Sequence, residues 1–191
     1  QGAAELAVTY AESLSVDGKK GVRDDVNGSV SGCSDYLRID SGCREFEPFW
    51  FRTFRFLAVN VKNVSGPFAI KQISVSSFMY PFELKASFAA VEPSGMVPKI
   101  WDTAWRTARL CVHEYYEDCP YYEQLQYAGD TRIQALISYA LTGDGRPGLQ
   151  AIRHFDWSRL PEGLTQSRYP STWVQVIPQF SLFWIMMVED Y

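Results

Sequence analysis

The sequence predicts an α+β multidomain chain, a β-sandwich segment over residues 1–92 followed by a helical segment over residues 93–191. Three observations predict it. Apolar residues alternate at period two in the first part, the period changes to three and four after Pro93-Ser94-Gly95, and capping residues stand where the new period starts and stops.

In the first part, Leu6, Val8 and Tyr10 alternate with Ala7, Thr9 and Ala11, the period of a half-buried strand. The nearly continuous apolar run Phe54–Val61 suits a central strand. After the Gly66-Pro67 turn, Ile73 and Val75 alternate with Gln72, Ser74 and Ser76 and read as another strand. Short strands separated by Gly/Ser/Asp turns point to a sandwich.

In the second part, Val97, Ile100, Trp101, Ala104, Ala108, Cys111 and Val112 recur on one helical face. A second helix is expected to take Asp130 or Thr131 as N-cap, turn Ile133, Leu136, Ile137, Ala140 and Leu141 inward, and stop at Gly143. Pro147 suits the first turn of a third helix with Leu149, Ile152 and Phe155 inward, so residues 131–157 form an αα-hairpin. Pro178 opens a fourth helix whose run Leu182–Val188 is apolar on nearly all sides and expects neighbours in several directions. Glu189-Asp190-Tyr191 offers no C-cap, as expected if a helical domain continues further.

Composition excludes several classes. A net charge of -4, from 18 basic and 22 acidic residues with no basic cluster, speaks against nucleic acid as a partner. No run of about eighteen apolar residues appears, so no membrane span is expected. Four separated cysteines and two histidines do not make a zinc cage, and no metal is expected. Cys33 and Cys43 flank a short stretch where they can pair or stay free thiols. Asn27-Gly28-Ser29 and Asn63-Val64-Ser65 match the glycosylation acceptor pattern, which arises often by chance. Aromatic residues make up 15% of the chain, with six Trp and eleven Tyr; sugar stacking and large cores are both compatible with that.

The segment Glu114–Asp130, EYYEDCPYYEQLQYAGD, lies between two amphipathic helices and breaks helical period at Pro120. It holds five carboxylates and five tyrosines with no Lys or Arg, so crowding raises the pKa of the least solvated acid. Glycosidic cleavage needs one carboxyl to protonate the leaving oxygen and a second to activate water or attack carbon, with rings and hydroxyls holding the sugar. The same loop is also compatible with acids solvated on a surface and tyrosines packed on helices. His113 beside it reads as a capping or packing histidine, and Cys119 as a small residue packing in the turn.

DCPYYEQLQYAGD resembles the acidic motif of glycoside hydrolase family 78, the α-L-rhamnosidases, usually DCPxRxERxGWxGD. Asp118-Cys119-Pro120, Glu123, Leu125, Tyr127 and Gly129-Asp130 align once one residue is deleted after Pro120. Trp105–Arg109 and GDTRIQALISYALTGD are similar to the family's divergent branch. FEPFWFRTFRF resembles its sandwich strand and GLTQSRYPS a loop beside its active site. The departures are Tyr121-Tyr122 in place of x-Arg-x and Gln124 in place of the Arg after the acid, which bear on the saccharide more than on the chemistry.

The resemblance implies a β-sandwich followed by the first helices of an (α/α)6 barrel, and an inverting glycosidase acting on a terminal α-L-rhamnosyl or similar deoxysugar linkage of a glycoside or oligosaccharide. It implies Glu123 as general acid, supported by Asp118 and Asp130, with the general base outside this chain and no cofactor. Beside these, Tyr122, Tyr127, Arg132, Arg168 and Trp173 are candidate substrate-binding residues, although for Arg132 and Arg168 structural pairing with nearby acids is the favoured reading, because Arg near acids usually anchors loops. Arg132 is also placed to pair with Asp130 or Asp118, and Trp184 suits a core better than a sugar platform. A periplasmic or secreted location is implied as well. The alternative is a catalytically incomplete carbohydrate-binding or scaffold protein that keeps the pocket alone.

Overall fold

The computed structural model describes residues 4–20 and 23–191. The chain divides into two compact units, Gln1–Ser76 and Ser77–Tyr191. The fold is α+β, with a three-stranded antiparallel sheet in the first unit and four helices in the second.

In the first unit, β1 (Ala4–Ala11) is the central strand between β4 (Cys33–Ile39) and β5 (Phe56–Lys62). Val8 stands opposite Asp35 on one side and Val59 on the other. The alternation at Leu6, Val8 and Tyr10 thus becomes a middle strand, and the apolar run from Phe54 becomes its partner, starting two residues later. A small hairpin joins β2 (Ser15–Val16) to β3 (Lys19–Lys20), with Asp17 at φ 51° and Gly18 at φ 73°. That pair of left-handed residues matches the right-handed twist of the strands it joins. Arg52 clamps the sheet by a forked pair of bonds to Asp35, at 3.0 and 2.8 Å, and caps the carbonyls of Trp50 and Phe51. Cys33 and Cys43 are both free and exposed.

The strand expected around Ile73 and Val75 does not form: residues 63–92 carry neither strand nor helix, and these side chains are 61% and 69% exposed. Alternation gives a strand only where another strand accepts its backbone bonds, and none does so among the described residues.

The second unit contains α1 (Met96–Leu110), α2 (Ala128–Thr142), α3 (Arg146–Trp157) and α4 (Pro178–Asp190). Residues 77–92 lie against these helices. Tyr80 N–H reaches the Val112 carbonyl at 2.9 Å, and the N–H groups of Lys85 and Ala86 share the Leu141 carbonyl. The Tyr80 hydroxyl donates to Asp144, which is also forked by Arg146. Glu92 takes the place of an N-cap for α1, accepting from Ser94 and from the Val97 N–H. The apolar face expected on α1 buries no residue; Trp101 and Trp105 pack on Phe88 and Phe82 instead.

Helix α2 starts earlier than its polar residues suggest, with Tyr127 at the N-cap. The Ala128 N–H is satisfied by the Ser167 carbonyl from a distant loop, so no Asp or Thr side chain is needed there. It stops as expected at Gly143, whose φ of 67° suits glycine. Its inner face is also not the expected one. Ala128, Thr131, Ala135, Ser138 and Thr142 are buried, whereas Ile133 is 63% exposed and Leu136 and Ala140 face out. Small residues let helices approach closely, and the Ser138 and Thr142 hydroxyls return to carbonyls four residues back, so their burial leaves no bond unmade. Pro147 and Pro178 sit in the first turns of α3 and α4. The core gathers Val112, Tyr116, Ala128, Ala135, Ala151, Phe155 and Met187, with Trp184 and Phe180 packed against it. Much of the apolar surface of α4, including Leu182, Ile185 and Val188, is exposed.

Candidate active site

The acidic segment folds into a closed loop between α1 and α2, and Asp118 is its clasp. One carboxylate oxygen of Asp118 accepts the N–H groups of Cys119 (2.7 Å) and Leu125 (3.0 Å), while its own N–H donates to the Leu125 carbonyl (2.9 Å). Residues 120–123 form a turn inside this clasp. Gln124 N–H bonds the Cys119 carbonyl, its side-chain amide bonds the Pro120 carbonyl, and its φ of 54° lets the chain double back. Beneath the loop, Glu117 is fully buried and meets His113 at 3.1 Å, while its backbone carbonyl accepts from Gln134. His113 is therefore a packing partner of the loop's base, stacked with Phe78.

This folding brings three carboxylates together. A cleft of about 390 Å³ is lined by Asp118, Cys119, Glu123, Tyr127, Asp130, Ile177 and Phe180. Interaction with the neighbouring Asp118 side chain, by hydrogen bonding first and by its charge second, holds the Glu123 pKa above the ordinary carboxylate value. Asp130 adds to the rise and Arg168 opposes it. Asp130 is itself pushed up, first by desolvation of its carboxyl and then by the Asp118 charge, although the residue as a whole is exposed. Asp130 lies in the first turn of α2, where the helix dipole favours a negative charge.

Tyr127 and Arg168 form the wall beside the acids. They are bridge partners in a short antiparallel ribbon, and an Arg168 guanidinium N–H donates to the Tyr127 hydroxyl at 3.2 Å while the cation lies 5.7 Å from the ring centre. The Tyr127 hydroxyl donates onward to Gln175, which also accepts from Ser167. Phe180 meets Tyr127 edge-on.

Of the residues expected from sequence, Asp118, Glu123, Asp130 and Tyr127 line one cleft, and Arg168 contacts its wall. The others lie elsewhere. Arg132 makes a forked pair with Asp190 of α4, at 2.7 and 3.3 Å, and not with Asp130 or Asp118. Tyr122 is 65% exposed and stacks edge-on with Tyr121, and Trp173 is 74% exposed; neither lines the cleft. Trp184 packs on the core and donates its indole N–H to the Ile152 carbonyl. Ile177 and Phe180, unremarked in the sequence, come to the cleft because Pro178 starts α4 at its rim. Among the described residues no group of three or more His, Cys, Asp or Glu is arranged to hold a metal ion, and no helix is long and apolar enough to cross a membrane.

A loop that clasps one carboxylate by backbone N–H groups and raises a second beside it defines a pocket suited to acid catalysis. Residues 86–191 match the bacterial α-L-rhamnosidase six-hairpin glycosidase domain, and the chain belongs to that family. Its fold is similar to that of a family 78 rhamnosidase of Bacillus sp. GL1, at 24% identity and a TM-score of 0.78, over all of this chain and 19% of that one. It is also similar to a rhamnosidase from Klebsiella oxytoca with rhamnose bound, at 20% identity and a TM-score of 0.71, over all of this chain and 38% of that one. The chain thus spans well under half the length of these relatives. No curated protein matches it.

Proposed function

We propose that this chain supplies the acid side of a pocket that hydrolyses terminal α-L-rhamnosyl, or closely similar deoxysugar, linkages of a glycoside or oligosaccharide. Glu123 is the general acid that protonates the leaving oxygen, and Asp118 and Asp130 hold sugar hydroxyls and raise the pKa of Glu123, which favours its protonated form. A general base outside residues 1–191 deprotonates the attacking water on the opposite face of the sugar. For an inverting reaction the two carboxyls stand roughly 6.5–9.5 Å apart to admit that water. In this reading the sheet unit is the end of a β-sandwich, and α1–α4 open an (α/α)6 barrel.

The observation that carries the reading is the gathering of Asp118, Glu123 and Asp130 around one cleft, where the neighbouring Asp118 carboxyl raises the pKa of Glu123. Family membership over residues 86–191 supports the choice of a glycosidic bond. In the full-length protein, Glu123→Gln abolishes turnover of an unactivated rhamnoside while rhamnose binding, followed by calorimetry, is retained. Near-normal turnover by that variant would sink the assignment.

A further inference from the structure

We propose that Gln126 is a positioning residue for the acid cleft: its buried amide locks His154 as the neutral Nε2–H tautomer and braces the ribbon that carries Tyr127 and Arg168. The inference rests on reading Glu123 as the acid of the cleft.

Gln126 is 1% exposed, so its amide depends on protein partners. Its Nε2 lies 2.6 Å from the Tyr169 carbonyl oxygen and 3.1 Å from His154 Nδ1. A carbonyl oxygen only accepts, so the amide nitrogen has to face it; the flipped amide would set two acceptors against each other out of water. With the nitrogen held there, it meets His154 as a donor. Nδ1 therefore accepts, and the ring proton sits on Nε2. Desolvation independently lowers the His154 pKa, which favours the same neutral ring. The orientation is kept although Gln126 Oε1 is buried without a hydrogen-bond partner among the described residues, a cost incurred because the Tyr169 carbonyl requires a donor.

Gln126 also belongs to the ribbon it braces. Its carbonyl accepts the Tyr169 N–H at 3.1 Å, and the Ala128 N–H reaches the Ser167 carbonyl at 3.0 Å, with Tyr127 and Arg168 paired between them. The side chain crosses from one strand of the ribbon to the backbone of the other and on to α3, where His154 resides. Arg168 is the cation whose charge acts on Glu123 against Asp118 and Asp130. Loosening the ribbon lets that cation recede from the acid, and the Glu123 midpoint then rises.

The test uses the full-length protein and needs no turnover, so retained activity in Glu123→Gln would remove the acid reading without touching these measurements. In protein labelled with ¹⁵N-histidine, His154 shows a protonated Nε2 and an unprotonated Nδ1 at neutral pH; the opposite tautomer overturns the proposal. In Gln126→Met, the Glu123 midpoint read by ¹³C NMR shifts upward. Arg168→Gln shifts it in the same direction, and the double variant shifts it no further than Arg168→Gln alone. An unchanged midpoint in folded Gln126→Met, or an added shift in the Arg168→Gln background, overturns the proposal. If Gln126→Met does not fold, His154→Leu, which withdraws the ring partner of the amide and leaves its bond to the Tyr169 carbonyl, carries the same expectation with a smaller shift.

Discussion

Gly129 sits in the first turn of α2, immediately before Asp130, and a methyl group added there would lie 2.8 and 2.9 Å from Cε1 and Cζ of Phe180. Carbon atoms settle at roughly 3.5–4.0 Å, so in Gly129→Ala the ring or the helix has to retreat by ~1 Å. Overpacking of this kind costs about 1–3 kcal/mol. Replacing glycine by alanine within a helix returns at most ~1 kcal/mol, and less in a first turn. The net expectation is a loss of about 1–2 kcal/mol in urea unfolding. Phe180→Leu removes the two clashing atoms, so Gly129→Ala should cost little in that background and the double-mutant cycle should show a coupling of ~1–2 kcal/mol. If the cleft binds the sugar as proposed, the single variant also weakens rhamnose binding by calorimetry, because Phe180 and Asp130 line that cleft. An equal cost of Gly129→Ala in both backgrounds would refute the reasoning, because the Phe180 contact would then not be its source.

Asp118→Asn keeps the oxygen that clasps the Cys119 and Leu125 N–H groups but removes the charge that raises Glu123. An acid that must be protonated loses activity as pH rises through its pKa, so the alkaline limb of kcat/KM should move to lower pH, and a stationary limb would count against the pairing. Asp144 is pulled from its ordinary 3.8 to about 2, first by its hydrogen bonds from Arg146 and further by Tyr80. Its folded value lies below its unfolded one, so its stabilisation is present above about pH 4 and lost as pH falls towards 2. Asp144→Asn should flatten that part of a Tm–pH curve, and an unaltered curve would show that the group does not contribute. Phe155 is fully buried where α3 meets the core, and Phe155→Ala should cost about 3–5 kcal/mol by chemical denaturation, a loss below ~1 kcal/mol contradicting the packing.

What was legible in the sequence were features whose cause is local. Gly143 ends α2 because the chain needs a positive φ there, and Pro147 and Pro178 mark helix starts because their fixed φ suits a first turn. Asp118, Glu123 and Asp130 were picked out by the motif that resembles family 78, and a single loop and the turn after it bring all three to one cleft. What was not legible depended on distant partners. The start of α2 depends on a carbonyl from Ser167, and the alternation at Ile73 and Val75 finds no strand to pair with. Arg132 looked like a site residue because it follows Asp130 so closely. Two positions along a helix are about 200° around it, so the two side chains point to opposite sides, and Arg132 reaches Asp190 instead.

The inner face of α2 explains why the site was easier to read than the core around it. Apolar period predicted that Ile133, Leu136 and Ala140 face inward, yet the buried stripe is Ala128, Thr131, Ala135, Ser138 and Thr142. A stripe of small and hydroxyl-bearing residues gives little hydrophobic signal, but it lets α3 and α4 close on α2. Close packing there has consequences at the cleft. It sets Phe180 against Gly129 and seats Tyr116, whose hydroxyl bonds Ser138, under the base of the acid loop. The buried Glu117 and Gln126 flank that loop, Glu117 bonded to His113 just before it and Gln126 to His154 of α3. Polar groups withdrawn from water in this way tolerate few alternative arrangements, because each alternative leaves a buried bond unmade. The acids of the cleft are therefore positioned less by the apolar pattern that identifies the helices than by the polar contacts packed behind them.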